Sequence, residues 1–98
     1  MKQLFAVIRT HGGAWQSELS LEHQRSWDAH AAFMNALVEE GFVLLGGPLE
    51  GTSDVLLIVR AETATEIKER LAADPWTSLD LLSLSRVAAW TLRLGSLS

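Results

Sequence analysis

Two segments of this chain are apolar at every position, and that constrains the fold more than any other feature. One is Phe42-Val43-Leu44-Leu45 and the other is Val55-Leu56-Leu57-Ile58-Val59. Short apolar runs bounded by turn residues read as strands. Gly46-Gly47-Pro48 closes the first run, and Glu50-Gly51-Thr52-Ser53 leads into the second. The short link predicts a hairpin. Successive side chains of a strand point to opposite faces, so a strand with one wet face alternates apolar and polar residues. These two do not alternate. Both faces of their sheet must be covered.

The rest of the chain can cover one face. Leu4-Phe5-Ala6-Val7-Ile8 reads as a buried strand, broken by Thr10-His11-Gly12-Gly13-Ala14. Across residues 21–40 the period becomes helical: Trp27, His30, Ala31, Met34, Leu37 and Val38 recur at offsets of three and four. Ser20 is the expected N-cap and Gly41 the stop. Thr63-Ala64-Thr65-Glu66 has capping-box spacing and opens a second helix that carries Ile67 and Leu71 inward. It ends near Asp74, because Pro75 disfavours helical backbone in the residue before it. A turn over residues 76–81 leads to a last strand over 82–92.

This order, βαββαβ, predicts one α+β domain spanning 1–98: a ferredoxin-like, four-stranded antiparallel sheet with two helices on one face. No element remains for the second face. The expected cover is a second copy of the chain, giving a homodimer. A ligand cavity at the rim between facing sheets is compatible with that.

Composition narrows the partners. The net charge is −4 without a basic cluster, which argues against nucleic acid and against an anionic membrane surface. No cysteine is present, so thiol chemistry and thiolate metal sites are excluded. No apolar stretch has the length to span a bilayer, and the run at 4–8 is too short for a secretory signal core. The expected location is the cytoplasm.

His30 is the first candidate for chemistry, since it lies on the apolar stripe. Imidazole titrates near neutral pH and serves as a general acid or base. The alternative is a core histidine held by one hydrogen bond. Asp74 is the second candidate: a carboxylate there fixes the tautomer of a histidine, or simply shapes a turn. Trp27 and Trp76 would wall such a site. Ser26 precedes His30 by four residues, but no nucleophile-elbow pattern supports a Ser–His pair. Gly46-Gly47-Pro48 opens no helix, so nucleotide binding is rejected, and close backbone approach is its expected role. Of the three histidines only His23 and His30 share a helix face, two turns apart, so no metal site is expected.

His30-Ala31-Ala32-Phe33-Met34, Leu37, Gly41, Leu45-Gly46-Gly47-Pro48 and Asp74-Pro75-Trp76, in this order, resemble the YciI-like (YCII-related) proteins over almost the whole chain. The resemblance implies a dimeric α/β barrel of ferredoxin-like subunits and a His/Asp-centred site, carried here by His30 and Asp74. It also implies relatives that act on small molecules without metal or bound cofactor. The implied activity is a small cofactor-independent enzyme moving a proton on a ring or carbonyl substrate, with Trp27, Trp76 and Gly47 against the substrate. A non-catalytic small-metabolite-binding dimer and a purely structural dimerisation domain remain open alternatives.

Overall fold

The computed structural model describes residues 1–97. Its elements run β1 (Gln3–His11), α1 (Trp27–Glu39), β2 (Val43–Pro48), β3 (Asp54–Ala61), α2 (Ala64–Ala72), α3 (Pro75–Ser78) and β4 (Leu82–Ala89), with a 3₁₀ turn at Leu21–His23. The strands form one antiparallel sheet in the order β2-β3-β1-β4. This is the expected ferredoxin-like arrangement.

Register decides which side chains meet the helices. Phe5 lies opposite Val59, and Val7 opposite Leu57 on one side and Val87 on the other. These residues pack with Leu37, Ile67 and Leu71 of the long helices into the main core. Arg9 is next in the same phase, so period two carries an arginine onto the buried face. The β1–β4 register shifts between Ile8 and Arg9, a bulge that bends the pair beside this residue. A second irregularity, between Val43 and Leu45, places Gly46 opposite Leu57.

The ends of α1 differ from one another. Its C-terminus is a Schellman cap: Gly41, at φ 81°, donates to the Val38 carbonyl (3.0 Å), and Phe42 N–H reaches back to the Leu37 carbonyl (3.0 Å). Phe42 and Leu37 both enter the core, the apolar contact that accompanies this motif. The N-terminus corrects the expectation of one helix from residue 21. The chain makes the 3₁₀ turn, leaves helical geometry at Gln24, and restarts only after Ser26 in the left-handed region at φ 59°. Buried Gln24 explains the break. Its amide nitrogen donates to the carbonyls of Gln16 (2.7 Å) and Leu19 (3.2 Å), and its oxygen accepts from Gln16 N–H (3.1 Å).

Other boundaries also move. β1 runs on to His11, because its backbone pairs there with Ser53 and β4. β4 ends at Ala89, short of residue 92. Thr63 caps α2 as expected, accepting from Glu66 N–H (3.1 Å); the Glu66 carboxylate takes the Glu62 N–H (3.0 Å), one residue before the usual capping-box partner. Pro75 does not merely stop α2. It occupies the first turn of α3, where its missing N–H is not needed.

Candidate active site

Asp74 caps α3, and this places its carboxylate. Oδ1 accepts from Trp76 N–H at 2.9 Å. Arg9 Nη1 donates to Oδ2 at 2.7 Å, and His30 Nδ1 lies 3.0 Å from Oδ1 and 2.8 Å from Oδ2. β1, α1 and the α2–α3 junction thus converge on one fully buried carboxylate. Arg9 Nη2 also donates to Thr77 Oγ1 (2.9 Å), whose hydroxyl donates to the Leu71 carbonyl (2.9 Å). That chain ties the guanidinium to both helical segments.

Burial pushes the Asp74 carboxyl up. The hydrogen bonds from His30, Arg9 and Trp76 N–H, with the His30 charge, outweigh it and hold the group below its ordinary value. An ionised carboxylate only accepts, so Nδ1 of His30 carries the proton in this pair. The other ring nitrogen, Nε2, has no hydrogen-bond partner among the described residues, and His30 borders a cavity of about 360 Å³.

The imidazole plane is fixed as well. His30 stacks on the Trp76 indole with centroids 3.8 Å apart and planes 4° from parallel. Trp76 Nε1–H donates to the Arg25 carbonyl at 2.6 Å, which anchors the indole to the segment before α1. A second stack stands at the rim, His11 on Trp15 at 3.7 Å, and Trp15 meets Trp76 edge-on at 5.6 Å. Burial lowers the affinity of His11 for a proton, and Asp54 partly offsets this.

The structure brings His30 and Asp74 into direct contact. Trp27 flanks both His30 and Trp76 at 5.9 Å and borders the cavity. Trp76 also borders the cavity, yet it has no exposed surface and serves mainly as a backing plate beneath His30. Gly47 borders the cavity, but a methyl group added there would meet nothing. The glycine that matters sterically is Gly46, where a Cβ would fall 2.7 Å from Leu57 Cδ2. Val38, placed on the apolar stripe, is 50% exposed beside the cavity. Ser26 contributes its carbonyl, which accepts from His30 N–H at 3.1 Å, and makes no side-chain cap. His23 is bonded to Ser20, away from the site. Among the described residues no group of three or more His, Cys, Asp or Glu is arranged to hold a metal.

Sequence reasoning missed Arg9, His11 and Trp15. Arg9 had a readable signal, its phase with Phe5 and Val7. The other two had none, because a loop of irregular backbone brings Trp15 back over the strand end.

These parts define a ferredoxin-like α+β protein with a buried Arg–Asp–His cluster beside an aromatic-walled cavity. The same fold is found in 5-chloro-2-hydroxyhydroquinone dehydrochlorinase from Burkholderia phenoliruptrix AC1100, solved in complex with 2,5-dihydroxybenzoquinone. The match covers 95% of this chain and 96% of that one, with a TM-score of 0.65 and 22% identity. No family model matches the sequence, and no curated protein does. No helix among the described residues is long and apolar enough to cross a membrane.

Proposed function

We propose that this protein is a small cofactor-independent enzyme that moves a proton on a ring or carbonyl compound, in an elimination or isomerisation, and that it acts as a homodimer. One observation carries the reading: His30 is locked by Asp74 at Nδ1 and by Trp76 across its face, while Nε2 is left for whatever enters the cavity. In the neutral ring Nε2 holds a lone pair and takes a proton from the substrate. The resulting imidazolium faces a carboxylate and returns the proton to carbon or to a leaving group. Asp74 is a positioning residue, since it acts through His30. The dehydrochlorinase of like fold, whose name describes loss of hydrogen chloride from a small ring, supports the elimination class.

Dimerisation is supported by the second sheet face, where Ala6, Ile8, Leu56, Ile58, Ala88 and Trp90 border a shallow, largely apolar depression whose one charged neighbour among the described residues is Arg86. We expect light scattering to return twice the chain mass. Ile58→Glu, on that face, should yield monomers or insoluble protein.

The test begins with a thermal-shift screen of hydroxylated quinones, halogenated hydroquinones and lactones, since a bound ligand stabilises the fold by mass action. Each hit is then assayed for turnover. His30→Gln should lower turnover at saturating ligand by about 10²–10⁴-fold. Turnover that survives in His30→Gln would overturn the proposal. Hits that bind and never react would leave a non-catalytic metabolite-binding module as the reading.

A further inference from the structure

The charge balance of the cavity runs against that of the chain. The sequence has twelve acidic residues and eight lysines and arginines. Yet no aspartate or glutamate borders the cavity, whereas Arg9, His11 and His30 do. Asp74 lies behind the wall with its side chain fully covered, engaged by both Arg9 and His30. One carboxylate faces two groups that can be cationic. It neutralises Arg9, and a proton taken up at Nε2 of the neutral His30 ring then needs an anion beside it.

The surroundings make that surplus matter. Trp27, Met34, Val43, Leu57 and Leu82 supply apolar walls, and the polar members Asn35 and Thr52 are neutral. A net charge among such walls is costly unless a counter-charge arrives. Arg9 adds a second signal: it is 2% exposed, and its Nε–H is buried without an acceptor among the described residues. Buried donors of charged groups are nearly always satisfied. For a ligand oxygen to satisfy this one, the guanidinium would have to turn toward the cavity that Arg9 borders.

We infer that the cavity selects flat organic monoanions, the carboxylate, enolate or phenolate forms of small ring compounds, over their neutral counterparts. This names the substrate class of the site proposed above. It rests on that reading's cavity and is independent of turnover. The anion lies against the Arg9–His30 wall, its charge balancing the imidazolium formed when Nε2 of His30 takes up a proton, and its ring packs among the tryptophans.

The test uses matched pairs that differ in charge and little in shape, measured by calorimetry on the full chain at neutral pH. One pair is hydroxy-1,4-benzoquinone, a vinylogous carboxylic acid ionised at that pH, and its methyl ether. The other is benzoate and benzamide. The absence of cysteine spares the quinones from thiol addition. The acid of each pair should bind roughly tenfold tighter or more, the scale of a charge-assisted hydrogen bond. In His30→Gln the preference should collapse toward parity, because Arg9 and Asp74 then balance. The wild-type ratio decides by itself if that variant does not fold. Equal or tighter binding of the neutral partners overturns the inference, as does a preference undiminished in folded His30→Gln, or failure of both acids to bind at millimolar concentration. Acid preference in a protein that turns over nothing upholds this inference and ends the catalytic reading. Turnover of neutral substrates without acid preference does the opposite.

Discussion

The two ends of the helix-covered sheet face are built by opposite rules from the same elements. β1 sends Phe5 and Val7 to one end and Arg9 to the other. α1 sends Leu37 to the first and His30 to the second. At the first end Phe42, Val59, Ile67 and Leu71 close up into a continuous apolar cluster. At the second, Trp76, Leu81 and Leu82 form a smaller cluster with Trp15, Leu21 and Trp27 around it, and a cavity remains beside charged groups. Branched aliphatic side chains interdigitate to high density. Flat, stiff indoles held at 49° and 87° to one another leave space between them. Periodicity thus chooses the face, while side-chain shape chooses whether that stretch of face is core or pocket.

The contrast is broken most severely by Asp74→Ala. It strands a buried guanidinium without its partner, and should lower stability by about 3–5 kcal/mol in urea denaturation. The same carboxylate sets an acid limit. Its folded value is depressed from the ordinary 3.8, so its stabilisation is complete above that pH and is lost as pH falls through the lower folded value. An Asp74→Asn variant should lack this acid-linked part of the stability–pH curve. Ile67→Ala attacks the dry end instead. It should cost about 3 kcal/mol through lost burial and a residual cavity, and leave ligand affinity unchanged in the folded fraction. Gly46→Ala sharpens the comparison, since its methyl must displace the Leu57 side chain at the cavity wall. A loss of about 1–2 kcal/mol with weakened ligand binding is expected. The smallest effect is Thr63→Ala, about 1 kcal/mol from the lost cap of α2, read as a lower melting temperature with ligand affinity intact.

The dry end was legible in the sequence because it follows from period and breakers alone. The apolar runs at 42–45 and 55–59, the stripe on α1, Gly41 as its stop and Thr63 as a cap need no tertiary information. His30 and Asp74 were legible as candidates from their chemistry and from a family resemblance. What escaped depends on contacts distant in sequence or on side chains competing with backbone. Gln24 breaks a helical pattern by bonding two carbonyls of the preceding loop, and propensity cannot foresee that. Pro75 has two structural meanings, terminator and first-turn residue, and the geometry after Asp74 selects the second. Arg9 fell outside the strand read at residues 4–8, because an apolar run stops at a charge whatever its phase.

The bond between Arg9 and Asp74 joins residues 65 positions apart, and that between His30 and Asp74 joins residues 44 apart. Closing such loops costs chain entropy before any contact rewards it, whereas the β2–β3 hairpin and α1 form from neighbours. The cluster should therefore assemble after the folding transition state, once β1 and α1 are docked and α3 swings in. Interactions made late slow unfolding without speeding folding. Asp74→Ala should then leave the refolding limb of a chevron plot in place and raise the unfolding limb by nearly its whole equilibrium effect. On this account the Asp74 carboxylate is also the latch that sets how long the folded molecule lasts.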